Sequence, residues 1–163
     1  MAALEKGTRS PEFSLPLLNS PDELKVDRES RVALVFFKVE CPVCQFALPY
    51  FDRLYQRSKR QSGNAVFGIS QNGARETEDF VRKYGVTFPV ALDAAPQYVV
   101  SNAFGLTNVP TSFFLANGRI EFSSVSWVKD DVDHLYTLVV NGEGKAIQPL
   151  FASDEKIAAF KAG

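Results

Sequence analysis

The sequence predicts an α/β domain built on a mixed central β-sheet flanked by helices. Short apolar runs of strand length, Val32 to Val39 and Ala65 to Ser70, alternate with stretches whose apolar residues recur at helical spacing. Two later extended segments meet at Asn117-Gly118, the dipeptide of a tight hairpin turn, so part of the sheet is antiparallel. The only two cysteines of the chain, Cys41 and Cys44, stand directly after the first apolar run. That is the carboxyl end of a central strand, where open α/β sheets place their sites.

Taken in order, Pro11 to Leu17 alternates apolar and polar residues between prolines and reads as a short edge strand. Ser20-Pro21-Asp22 is a turn signal. The run Val32 to Val39 is too short and too uniformly apolar for a surface helix and suits a strand buried on both faces. Pro42 then stands where a helix tolerates proline, in the first turn, and Leu48, Phe51, Leu54 and Tyr55 follow at helical spacing. Pro49, inside this helix, removes one backbone hydrogen bond and should kink it. After the strand Ala65 to Ser70, a helix is expected over Arg75 to Tyr84, ended by Gly85. A short extended segment Phe88 to Leu92 and a helix Gln97 to Phe104, closed by Gly105, come next. Strands Thr111 to Leu115 and Arg119 to Val125 flank the hairpin turn, and Val132, Leu135, Tyr136 and Val139 mark one more amphipathic helix. Beyond Asn141-Gly142-Glu143-Gly144, Ser153-Asp154-Glu155 is expected to cap a short last helix. There is no internal repeat, and the 163 residues are read as one domain with a core over about 10–140 and an extension over about 142–163.

Net charge is −1 with no basic cluster, so nothing points to nucleic acid or an anionic membrane as partner. No apolar stretch approaches a membrane span, and the first residues lack the charged-then-apolar pattern of a secretory signal. A cytoplasmic location is therefore expected if the N-terminus is native, and an exported one if a leader was removed. In the cytoplasm the cysteine pair would rest largely reduced.

A strand running into a helix puts the Cys41 sulfur at a helix N-terminus, where unpaired backbone N–H groups and the macrodipole favour a thiolate. The thiolate is the species that attacks a disulfide, so the spacing suggests a redox dithiol. Two structural cysteines make a poor alternative, because a bridge across so short a loop stabilises little. A closed zinc site needs four ligands and only His134 could join the pair, so no metal is expected unless two chains share their cysteines. His134 itself reads as a surface residue of the last amphipathic helix, and Trp127 as packing or a hairpin flank.

Four stretches together resemble the thioredoxin superfamily, in its TlpA-like and AhpC/TSA-type redoxin branch. These are Pro11-Glu12-Phe13-Ser14-Leu15; Phe36-Phe37 with Cys41-Pro42-Val43-Cys44 and Pro49; Lys83 to Val90 ahead of Asp93; and Phe104 to Leu115 around Val109-Pro110-Thr111. The resemblance covers about residues 10–140. It implies a thioredoxin-like three-layer fold with an N-terminal strand extension and, over about Gln71 to Leu92, a central insertion. It also implies a thiol–disulfide oxidoreductase in which Cys41 is the exposed nucleophile and Cys44 the buried resolving thiol. Pro110 would be a cis-proline packed against the sulfurs, and Pro42, Val109 and Pro110 would contact substrate, Val109 through its backbone. No cofactor is implied beyond the redox-active Cys41–Cys44 disulfide. The partners would be a disulfide-containing protein or small thiol substrate, and a thiol electron donor or reductase.

Three departures from the family pattern surround the pair. Val35 stands where thioredoxins carry a buried aspartate, Glu40 where a tryptophan usually precedes the first cysteine, and Ala47 where many TlpA-like proteins carry a glutamate. Both usual proton-relay acids are therefore missing, and Glu40 is the nearest carboxylate in sequence. Strand alternation would place Lys38 and Glu40 on one face with Val39 opposite. Turnover slower than in a general thioredoxin is expected. A peroxiredoxin-type thiol peroxidase is one alternative, but its Pro-x-x-x-Thr/Ser-x-x-Cys motif requires positions occupied here by Phe37 and Cys41, or by Leu34 and Lys38. A non-enzymatic redox-sensing or adaptor module is another. The tail from Ala146 to Gly163 lies outside the resemblance, and its Leu150, Phe151 and Phe160 are open to packing on the domain or to contact with a partner.

Overall fold

A computed structural model describes residues 2–61, 63–141 and 147–163. The elements are β1 (Phe13–Pro16), β2 (Glu23–Val26), β3 (Val32–Phe37), α1 (Pro42–Arg60), β4 (Ala65–Ser70), α2 (Ala74–Tyr84), β5 (Val90–Leu92), α3 (Val99–Ala103), β6 (Thr111–Ala116), β7 (Arg119–Val125), β8 (Trp127–Val128), α4 (Lys129–Val140) and β9 (Phe160–Lys161). The central sheet has the order β5-β4-β3-β6-β7, parallel from β3 to β5 and antiparallel from β3 to β7. It is the mixed sheet expected from the sequence.

Every residue of β3 is buried, and successive side chains serve opposite cores. Ala33, Val35 and Phe37 join the cluster under α1, α2 and α4, whereas Val32, Leu34 and Phe36 join the cluster under α3 and the β1–β2 hairpin. The chain is thus layered as expected, but one face is covered mainly by a single short helix and a hairpin. Asn117 and Gly118 both adopt positive φ, 55° and 71°, as the tight turn between β6 and β7 requires.

Several boundaries differ from the sequence reading. The expected edge strand over Pro11 to Leu17 is β1, which pairs with β2 in a separate two-stranded sheet. The sequence reading had no strand over Glu23 to Val26, although only Leu24 and Val26 of its four residues turn inward. The central strand stops at Phe37 rather than Val39, because side chains take over the polar groups of Val39. The Val39 N–H donates to Asn72 Oδ1 at 3.0 Å, and the Val39 carbonyl accepts from Gln45 Nε2 at 2.9 Å. Lys38 and Glu40 consequently do not share a strand face. The helix expected from Gln97 begins only at Val99, since Tyr98 takes a left-handed conformation (φ 44°) and the Asp93 carboxylate accepts from the Val100 and Ser101 N–H groups.

The short last helix expected at Ser153 is absent from the tail. The Glu155 carboxylate instead accepts from the Ala152 N–H at 2.8 Å and from Arg53, also at 2.8 Å, closing a turn. That N–H first, and then the guanidinium, hold the Glu155 carboxyl below the usual range. The Gly142-Glu143-Gly144 link and Ala146, where the tail begins, lie outside the described residues. From Ile147 the tail packs on the domain. Leu150 is fully buried, Phe151 meets Tyr50 and Trp127 edge to face, and Phe160 remains exposed. Trp127 is fully buried and donates its indole N–H to the Ala158 carbonyl at 2.7 Å.

Candidate active site

Cys41 is the N-cap residue of α1, with extended backbone angles (φ −82°, ψ 115°), and Pro42 follows in the first turn, where its missing N–H costs nothing. The Cys41 sulfur accepts the Cys44 N–H at 3.1 Å, the bond an N-cap side chain normally makes through oxygen. The first turn carries no acidic residue, so no carboxylate competes with the Cys41 sulfur for the Cys44 N–H. Cys41 is half-buried and Cys44 has no exposed surface. Pro42 is exposed beside them.

From the opposite side, the loop before β6 closes the site. The Val109–Pro110 peptide is cis, and the Cys41 thiol reaches the Val109 carbonyl oxygen at 3.5 Å. Pro110 is buried and its carbonyl accepts the Ser126 N–H at 2.8 Å, while Thr111 Oγ1 donates to the Asn108 carbonyl at 2.8 Å. These bonds hold the loop against β7 and β8. The structure therefore brings together Cys41, Cys44, Pro42, Val109 and Pro110, residues separated by up to 69 positions in the chain.

Burial pushes the Cys44 thiol well above the ordinary range, and its contact with Cys41 pushes in the same direction. A backbone hydrogen bond at Lys38 opposes them, and the Glu40 charge adds a smaller upward push. Val35 and Ala47, at the positions where the family resemblance places acids, are fully buried in the same apolar cluster as Cys44. The surroundings of Cys44 are thus apolar where a proton relay was to be sought. Glu40 is exposed and accepts from Asn72 Nδ2 at 3.0 Å.

Asn72 was not identified from the sequence. It follows β4 at the carboxyl edge of the sheet and ties both Val39 and Glu40, so it sets the path of the chain into Cys41. Its only sequence signal is a polar loop after a buried strand. A cavity of about 220 Å³ adjoins Val109, lined among others by Lys38, Tyr98, Asn102, Leu106 and Asn108. Lys38 Nζ lies 5.7 Å from the centre of the Tyr98 ring. His134 is exposed on α4 with its ring against Phe122.

The chain is similar to known thiol-disulfide oxidoreductases. The chain is 28% identical over 141 residues to the thiol-disulfide oxidoreductase ResA of Geobacillus thermodenitrificans, covering 83% of this chain and 79% of that protein. Among solved structures, one described as a thiol:disulfide interchange protein DsbE from Chlorobium tepidum superposes with a TM-score of 0.71 at 24% identity, covering 85% of this chain and 98% of that one. The thioredoxin domain of a Bacteroides vulgatus thiol-disulfide oxidoreductase also gives 0.71, at 17% identity over 84% of this chain and 99% of that one. At these identities the structural likeness establishes the thioredoxin-like fold. The model of the AhpC/TSA family matches residues 7–145, most of the chain, and the protein belongs to that family.

Proposed function

We propose that the protein is a thiol–disulfide oxidoreductase with Cys41 as nucleophile and Cys44 as resolving thiol. The observation that carries this reading is the asymmetry of the pair. One sulfur is half-buried at a helix N-cap and accepts an N–H, and the other is fully buried behind it. The attacking group must be reachable and favoured as a thiolate, whereas the resolving group needs access only to Cys41.

In the first step the Cys41 thiolate attacks one sulfur of a substrate disulfide. The substrate S–S bond breaks, a Cys41–substrate mixed disulfide forms, and the departing substrate thiolate takes a proton from solvent. The Cys44 thiol then loses its proton to solvent and attacks the Cys41 sulfur. This expels the second substrate thiolate and leaves a Cys41–Cys44 disulfide, so two electrons have passed to the substrate. A thiol electron donor or reductase returns them. The dithiol itself carries the electrons, and Pro42, Val109 and Pro110 form the wall against which the substrate lies. Burial holds the Cys44 proton and so slows the resolving step.

Single-turnover mixing of the reduced, reductant-free protein with an aromatic disulfide tests this. The wild type should release two equivalents of chromogenic thiol, Cys44→Ser one, and Cys41→Ser none on the same timescale. Faster oxidation by hydrogen peroxide than by the disulfide would favour the thiol peroxidase alternative instead.

A further inference from the structure

Residues 158–163 return to the site along a path of backbone and side-chain hydrogen bonds. Trp127 Nε1 donates to the Ala158 carbonyl at 2.7 Å, and the Lys129 N–H to the Ala159 carbonyl at 2.9 Å. β9 pairs antiparallel with β8, Trp127 opposite Lys161 and Val128 opposite Phe160. The Lys161 ammonium lies 4.9 Å from the centre of the Phe46 ring, on the helix that Cys41 caps. At the end of this path the Gly163 N–H donates to Ser126 Oγ at 3.1 Å, and Asn108 Nδ2 donates to the Gly163 carbonyl at 2.8 Å.

Gly163 thereby lies directly against the Val109 carbonyl, the same oxygen that the Cys41 thiol reaches. A Cβ added to Gly163 would overlap that oxygen and crowd Pro110 Cδ at 3.0 Å. The fit is close enough to exclude any side chain there. An extended segment docks on a chain edge by supplying backbone partners. Here the β8 edge and the Lys129 N–H are already paired by the protein's own tail, whose end is tied to the Ser126 and Asn108 side chains and covers the Val109 carbonyl.

We propose that residues 158–163 determine substrate class by occupying the backbone edge beside Cys41 that an extended protein segment needs. The proposal rests on Cys41 being the attacking thiol. With the segment seated, the half-buried Cys41 sulfur stays open to a small disulfide, which needs no backbone edge. A disulfide carried in an extended peptide must first displace the segment, and its apparent reactivity falls by the fraction of molecules in which the edge is free.

The test uses two probes with one leaving group: dipyridyl disulfide, and an extended peptide whose single cysteine is activated as its pyridyl disulfide. Both react with Cys41 in a Cys44→Ser background, and release of pyridinethione reports the rate. Removing residues 158–163 should raise the peptide rate relative to the small-disulfide rate by about tenfold, the effect of a segment seated in roughly nine molecules of ten. The small-disulfide rate should stay within about twofold. Gly163→Leu, made in the chain that keeps residues 158–163, should shift the ratio in the same direction by displacing Gly163 from the Val109 carbonyl, so the result does not depend on the truncated chain folding well. An unchanged ratio in both variants, with the small disulfide still reacting, overturns the proposal alone. Failure of Cys41 to react with the small disulfide in every chain overturns the oxidoreductase reading and this proposal with it.

Discussion

The burial of Cys44 predicts that resolution, and not the first attack, limits turnover at neutral pH, with a rate that rises steadily with pH. An ordinary cysteine near pKa 8.5 is about 3% thiolate at pH 7. Cys44 has no exposed surface, and burial, the largest cause pushing its thiol up, persists when the Cys41 sulfur is held in the mixed disulfide. Each unit of that rise cuts the thiolate fraction tenfold. Intrinsic nucleophilicity recovers only about threefold per unit at a Brønsted slope of 0.4–0.5, so the net loss is about threefold for each unit. Val35 and Ala47 offer no carboxylate to take the proton. Stopped-flow mixing of the reduced protein with an aromatic disulfide should show two phases of thiol release, the first from Cys41 attack and the second from Cys44. The logarithm of the second rate should climb with unit slope from about pH 6 through pH 9 without levelling, the behaviour of a thiol whose pKa lies above the ordinary value. A plateau in that window, or a second phase faster than the first at pH 7, would show that Cys44 is not held protonated and would refute the reasoning.

The same displacement affects stability. A thiol whose folded-state pKa lies above its unfolded value contributes stability that is complete below the unfolded pKa and is lost as pH rises beyond it. Urea unfolding of the reduced protein should therefore show stability falling above about pH 8.5, by up to about 1.4 kcal/mol per pH unit. Cys44→Ala should lack that component of the slope. Asn72→Ala should cost about 1–3 kcal/mol, because it strips the part-buried Val39 N–H of its partner, and should also slow the first phase of thiol release by loosening the approach to Cys41. Unchanged kinetics in that variant would confine Asn72 to a structural role.

Local chemistry explains which parts of the molecule were readable in advance. β3 is uniformly apolar because it is buried on both faces, and Asn117-Gly118 is a turn because both residues must take positive φ. Gly85 ends α2 in the left-handed conformation (φ 68°) for a similar reason. These are short-range requirements, and they leave marks at fixed spacing. The misread boundaries at β3, α3 and Ser153 depend on side-chain partners that lie outside the element itself, two of them distant in the chain. β3 ends at Phe37 because Asn72, 33 positions beyond Val39, takes the Val39 N–H, and α3 starts late because Asp93 captures its first N–H groups. The expected helix at Ser153 gives way to a turn because Glu155 meets Arg53, 102 positions away.

By itself the sequence determined the alternation of strands and helices, the hairpin, and the placement of Cys41 at a helix start with Cys44 one turn inward, because spacing along a strand or helix is enough to set each of these. Only the tertiary structure decided what surrounds the two sulfurs. It put the Val109 carbonyl within reach of Cys41, left Cys44 with no exposed surface among apolar neighbours, and laid Gly163 against Val109. No periodicity encodes such contacts, because they join residues of separate elements whose meeting depends on how the layers pack.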